Sequence, residues 1–349
     1  MGAGIAGAAT AYHLSRHFEG TILVIEKEER PGLHASGRNA SLLFQPLAPP
    51  PIRDLLVRSR LAYEGVREEI GFRQEGSLLL DREGELTGLM QDSRLGSRLI
   101  SPEIVKQRIP LLVGHDFEAA LWTGTDGVID IRKLLDFYLE GARSRGVRLQ
   151  PNCEIQELQS HSPFRFRSTL GTIQTKTVVN AAGAWAGSLS RMCSATRVPL
   201  MPMKRHLFVL DGPTIEMREG PFVWNNRANF YFRPEAEGLL FCVCDEEPST
   251  SLVPTISSEI REQLAEVLWK QLPRLRDAVQ RDAWACFRTP TSDGLFALGW
   301  DPKLDGFFWV AGLGGSGMGS SWAVGEEAAR LILGGPEENI APLDPERFA

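Results

Sequence analysis

The sequence predicts an α/β protein in which a Rossmann-like, dinucleotide-binding domain is interleaved with a mainly antiparallel α+β domain. Three observations carry this reading. Gly2-Ala3-Gly4-Ile5-Ala6-Gly7 spells G-x-G-x-x-G and opens a helix. Small-residue or glycine turns follow buried apolar runs twice more, at 178–185 and 307–319, so nucleotide-type pieces stand at the start, middle and end. Between the last two, residues 198–284 change to short strands separated by turns.

In the opening turn, Gly2 allows the tight bend, Gly4 lets backbone approach a pyrophosphate, and Gly7 lets the helix pack close to its strand. Residues 5–18 read as an amphipathic helix, with Ile5, Ala8, Ala9, Tyr12 and Leu14 at helical spacing. Residues 21–25 are a buried-strand run ended by Glu26, an acid about 20 residues past the glycines, where a ribose hydroxyl is gripped. One part of the pattern is missing. A strand should precede the turn and lie in the middle of the sheet, yet only Met1 precedes Gly2. The expectation is a chain shortened at its start, with exposed sheet edges.

The stretch 33–41 is small and polar, with Ser36, Arg38, Asn39 and Ala40; it reads as a surface loop or as a segment reaching a phosphate-bearing cofactor. Prolines at 46 and 49–51 break the chain, and a helix is expected over 52–70, then a strand over 76–81. Helices are expected over 83–99 and 101–108, the second with Ser101 at its N-cap and Pro102 in first position. Residues 119–129 read as extended, and Asp130 caps a helix over 131–145 that Gly146 closes. A meander of three strands follows at 148–157, 164–168 and 173–179. Small residues at 180–184 point to close approach of a backbone or ligand. Strands at 207–210, 222–224, 229–233 and 239–243 precede a helix over 257–271. Residues 307–311 form a buried strand and 320–333 a helix. The glycine turn between them either aims N–H groups at an electron-rich ligand or is a plain flexible loop.

With 349 residues, 43% of them hydrophobic, the chain can build two domains. One is drawn discontinuously over 1–80, 130–197 and 285–349, the other over 81–129 and 198–284. A net charge of −6 with interleaved signs and no basic runs excludes a nucleic-acid surface. Apolar runs are too short to span a membrane, and no leader precedes the glycine turn, so a cytoplasmic protein is expected, with peripheral membrane association left open. Cys153, Cys193, Cys242, Cys244 and Cys286 contain no C-x-x-C pair and read as buried free thiols, with Cys242 and Cys244 on one face of a strand. No metal site is expected.

Taken together, several segments resemble the D-amino-acid oxidase/dehydrogenase superfamily of FAD-dependent oxidoreductases, and within it the bacterial D-arginine dehydrogenase-like branch. They are residues 2–7, 26–38, 179–185, 230–234, 284–288 and 306–311, in the right order over essentially the whole chain. The resemblance implies non-covalent FAD, with its pyrophosphate at Gly2, Gly4 and Gly7 and its ribose on Glu26 beside Lys27. It also implies that Ser36, Arg38, Asn39 and Ala40 flank the isoalloxazine together with Gly312, Gly314, Gly315, Ser316, Gly317 and Met318. Ile155 would lie near the adenine, and Ala182, Gly183 and Trp185 against the cofactor.

The family's carboxylate-binding Arg falls on Arg288, its Tyr partner on Tyr231, and a further active-site Arg on Arg205. A buried carboxylate calls for a planar, permanently charged partner, which favours Arg over Lys. The alternatives are a structural ion pair for Arg288 and core packing for Tyr231; for Arg205, with Lys204 beside it, a non-functional reading stays equally open. Where the branch carries a His and a Tyr in its substrate pocket, this chain has Leu42 and Leu47. That apolar lid argues against D-arginine and for an apolar or smaller side chain.

The implied reaction oxidises the Cα–N bond of a D- or N-substituted amino acid by hydride transfer to flavin, with oxygen or a quinone as final acceptor. No base is needed if the amine binds neutral. A 2-hydroxy-acid dehydrogenase would need the same clamp plus a base, bringing His34 or His206 forward. A cofactor-free, non-catalytic protein is the third possibility, motivated by the missing strand.

Overall fold

The computed structural model describes the chain except residues 213, 214, 216, 218, 237 and 337–339. The nucleotide-type pieces form two short sheets. Leu23–Ile25 pairs in parallel with Arg148–Gln150, while Val178–Asn180 pairs in parallel with Phe307–Ala311, flanked in turn by antiparallel Ala297–Trp300. Among the described residues no strand stands between these halves. Met1 and Gly2 bridge them instead. The Gly2 N–H donates to Ile25 O at 2.9 Å, the Met1 amine donates to Val179 O at 2.7 Å, and the Ala181 N–H donates to Met1 O at 3.0 Å.

The first helix is Ile5–Leu14, shorter than the expected 5–18, and it is buried on every side rather than amphipathic. Its alanines let Gly317–Ile332 and Ile131–Arg143 pack closely on either side; at Gly325 a Cβ would come 2.6 Å from the Ala9 carbonyl carbon. Past Leu14 the Ser15 hydroxyl donates to Tyr12 O at 2.8 Å, and the chain leaves in polar turns. Asp130 caps Ile131–Arg143, its carboxylate accepting from the N–H groups of Arg132 and Lys133. Pro50–Glu64 also lies on Gly317–Ile332, where the Tyr63 hydroxyl donates to Met318 O at 2.9 Å.

The second region is one nine-stranded sheet. Val279–Arg288 forms one edge, beside Met203–Asp211. Gly238–Cys242 and Glu247–Pro248 pair with the other side of Met203–Asp211, and Phe230–Glu235, Phe222–Asn225, Ser77–Asp81, Ala119–Thr123 and Arg98–Ile100 continue the order. Among the described residues of this sheet, only Phe222–Asn225 with Ser77–Asp81 is a parallel pair. The alternation of strand side chains decides what each face does. Phe208, Phe230, Phe232 and Phe241 point into a core covered by Ser258–Gln271 through Leu264 and Leu268. Their neighbours Leu207, Tyr231, Leu240 and Cys242 point to the opposite face.

Several expected elements are redrawn. The helix expected over 83–99 ends at Leu89; a single turn, Ser93–Leu95, then leads into the edge strand Arg98–Ile100, with Gly96 in the left-handed region at φ 59°. The stretch 148–157 holds two strands in different sheets, because Arg148–Gln150 pairs with Leu23–Ile25 while Ile155–His161 joins the meander. Residues 173–179 divide likewise into Gly171–Thr175 and Val178–Asn180. Val279–Arg288 was not expected as a strand; its polar, half-exposed start hides the alternation. All five cysteines are buried and unbridged, but Cys244 lies past the strand end at φ 50°, so it does not share a strand face with Cys242. Its N–H bonds to Cys242 Sγ at 3.3 Å.

Candidate active site

A cavity of about 1620 Å³ runs from the opening glycine turn to the cavity-facing side of the large sheet. It is larger than the roughly 300–1,000 Å³ of ordinary small-ligand pockets, leaving room for a dinucleotide and a substrate together. Every site residue expected from the sequence lines it except Gly7. Gly7 lies behind the wall, where a Cβ would collide with the Gly2 carbonyl oxygen, and Gly2 itself has φ 96°. The turn therefore has room only for glycine at both positions.

At this end Glu26 is held by backbone, its two carboxylate oxygens accepting from Ala3 N at 2.9 Å and Glu28 N at 3.1 Å. Lys27 lies over the Trp185 ring at 3.6 Å, and His34, bonded to Glu28 at 2.8 Å, packs on the same ring at 4.5 Å. Ala182, Gly183 and Ile155 complete this wall.

The 33–41 stretch is no free surface loop. Ser36 Oγ accepts the Ile5 N–H at 2.9 Å, and Asn39 Oδ1 accepts from Ser41 N at 2.8 Å, with Ser41 at φ 64°. Arg38 O accepts from Trp284 Nε1 at 3.0 Å, and Ala40 O from Arg233 Nε at 2.8 Å. These bonds fasten the loop between the glycine turn and the large sheet. Across the cavity, Gly312, Gly314, Gly315, Ser316, Gly317 and Met318 lead into the N-terminus of Gly317–Ile332.

At the far end, strand register gathers the polar groups. Arg205 stands opposite Cys286, and Arg288 lies two residues along from Cys286, so the two guanidiniums share a face. Tyr231, opposite Cys242, stacks on Trp224 at 4.6 Å, and Trp224 stacks on Phe44 at 5.1 Å. Phe44, Leu42 and Leu47 supply an apolar wall. Arg288 presses against Gly315, where any Cβ would collide with its guanidinium.

One oxygen of Glu246 joins the arginines, accepting from Arg205 Nη2 at 2.6 Å and Arg288 Nη1 at 3.3 Å. Glu246, Trp224 and Phe44 were not anticipated. Glu246 sits among other acids in a loop with no motif, and no signal in the sequence marks it. For Trp224, the predicted strand 222–224 and Tyr231's strand would have given the stack had their pairing been known.

The electrostatics suit an anion. Burial, then the neighbouring Arg205 charge, lowers the Arg288 pKa from its usual value. Burial opposes the charge on Arg205, but neighbours led by Cys242, with Glu246 among them, outweigh it and raise its pKa. Burial, then Cys242, pushes the Tyr231 phenol well above its usual range, so it remains a protonated donor. His206 is fully buried against Asp245 at 2.7 Å and does not line the cavity.

The residues present fit a flavin dinucleotide. Gly4 keeps its side of the turn open, since a Cβ there would come 2.9 Å from Ser36 Oγ, and two helix N-termini face the cavity. A family model described as DAO, FAD dependent oxidoreductase, matches residues 1–331. The chain belongs to this family of FAD-dependent oxidoreductases.

Among relatives, it is 27% identical over its full length to mitochondrial sarcosine dehydrogenase of Mus musculus, and 26% to mitochondrial dimethylglycine dehydrogenase of Homo sapiens. The chain spans 41% and 44% of those two proteins. It also superposes on the crystal structure of L-proline dehydrogenase from P. horikoshii with TM-score 0.89 and 25% identity, covering 99% of this chain and 96% of that one. FAD is the cofactor of this family, and no helix among the described residues is long and apolar enough to cross a membrane.

Proposed function

We propose that this chain oxidises the Cα–N bond of an N-substituted amino acid with FAD. The observation that carries the reading is the convergence of two charged guanidiniums and a protonated phenol at one end of a cavity whose other end is a dinucleotide turn. Arg288, with Arg205, takes the substrate carboxylate, and Tyr231 donates one further hydrogen bond. Held this way, the Cα–H faces the glycine turn at 312–319, a positioning effect. Bound FAD would supply the acceptor for the hydride, and with it both electrons, leaving Cα. The substrate nitrogen loses its proton to water, giving an imine that water hydrolyses. Oxygen or a quinone takes up the electrons afterwards.

The relatives support a substituted nitrogen, since sarcosine, dimethylglycine and proline all carry carbon on the amine. Leu42, Phe44, Leu47 and Trp224 offer that substituent an apolar wall. Neither histidine is placed to serve the 2-hydroxy-acid alternative at the arginine pair: His206 is fully buried against Asp245 outside the cavity lining, and His34 packs on Trp185 at the Glu26 end. The test is anaerobic bleaching of the FAD-loaded protein. Sarcosine and other N-alkyl amino acids should bleach it and 2-hydroxy acids should not; the reverse pattern, or failure to take up FAD, overturns the reading.

A further inference from the structure

Glu246 stands where a substrate carboxylate would. Its Oε1 alone receives both arginines, at 2.6 Å from Arg205 and 3.3 Å from Arg288. The Arg205 side chain is 5% exposed and its other guanidinium contact is a long one, Nη1 to Cys242 Sγ at 3.9 Å; its Nε has no hydrogen-bond partner. The Glu246 side chain, in contrast, is 56% exposed.

The backbone on either side of Glu246 is pinned. Asp245 accepts from the His206 N–H at 3.0 Å and meets its ring at 2.7 Å, and Glu247 pairs with Lys204 in the sheet and by an ion pair at 2.8 Å. An anchored backbone with a half-free side chain can rotate its carboxylate away without moving a strand. Two carboxylates cannot share one set of donors at contact distance, because like charges there repel.

We propose that Glu246 is a built-in competitor of the substrate carboxylate: it occupies the Arg205–Arg288 clamp at rest and swings to solvent when the substrate binds. This rests on the clamp assigned above. Apparent affinity for any carboxylate is then lowered by the fraction of molecules in which Glu246 holds the clamp.

The experiment titrates sodium acetate, at constant ionic strength, into FAD-loaded wild-type protein, E246A and E246Q, following the visible flavin spectrum. Acetate has a carboxylate but no amine, so it reports on the clamp alone. The expected result is acetate binding roughly tenfold tighter in both variants, with the KM for sarcosine falling in parallel and kcat within about twofold. Unchanged or weaker acetate binding in both variants overturns the proposal. So does a raised sarcosine KM with unchanged acetate binding, which would make Glu246 the amine's partner. Acetate that perturbs none of the three proteins removes the clamp itself, and the competitor with it.

Discussion

The two ends of the cavity are built on different principles. At the proposed cofactor end the working groups would belong to the backbone: Gly2, Gly4 and Gly7 lie within one turn, where an added Cβ would meet neighbouring atoms. At the proposed clamp end they would be side chains from Met203–Asp211, Phe230–Glu235, Val279–Arg288 and the 245–247 loop, gathered by strand register. A backbone site depends on steric room and fails all at once when that is filled. A side-chain site can lose one contributor and keep the rest.

Substitutions at each end should therefore separate cofactor binding from substrate binding. In Gly7→Val the added side chain drives into the Gly2 carbonyl, and retained FAD should fall by roughly a hundredfold or more, read by flavin absorbance after gel filtration. Arg288→Ala should keep its flavin yet lose roughly a thousandfold in kcat/KM, as expected when the guanidinium partner of the bound substrate carboxylate is removed. Arg288→Lys should recover little of this, having no planar fork. If Gly7→Val kept FAD, or Arg288→Ala lost it, the division between the two ends would fail. Tyr231→Phe is the milder case. Trp224 still stacks on the ring, so losing one neutral donor should cost roughly tenfold in kcat/KM, mostly through KM.

The same contrast explains what could be read in advance. The glycine turns, Glu26 and the 33–41 loop are contiguous in sequence and act through local backbone geometry, so motif spacing exposes them. Arg288 and Tyr231 came only through resemblance, since nothing local distinguishes a clamp arginine at a strand end from an ion-paired one. The strand carrying Arg288 escaped notice because its polar first half reads as loop. Glu246 had no signal at all; its position follows from the anchoring of Asp245 by His206, a contact 39 residues apart. Boundaries failed where long-range pairing overrode local preference, as where 148–157 divides between two sheets.

The smallest expected effect lies where the two regions meet. Asp126 is fully buried; Oδ1 accepts from the Gln45 backbone and side chain at 3.1 and 2.8 Å, and Oδ2 from Ser77 in the large sheet at 2.6 Å. Burial raises its pKa to about 7, with the hydrogen bonds and Arg60 opposing but not cancelling the shift. The folded pKa thus exceeds the unfolded one, so between about pH 4 and pH 7 the folded state holds a proton that the unfolded state has released. Stability from this group is greatest at the acid side of that window and declines as pH rises through it.

Asp126→Asn would keep an acceptor for both Gln45 donors, and the Ser77 hydroxyl can rotate to accept from the new amide. The variant should melt with the wild type near pH 4 and a few degrees above it near pH 8, measured by circular dichroism. A variant less stable at both pH values would mean that Asp126 is ionised in the folded state and that its charge, not its neutral form, ties Gln45 to the large sheet.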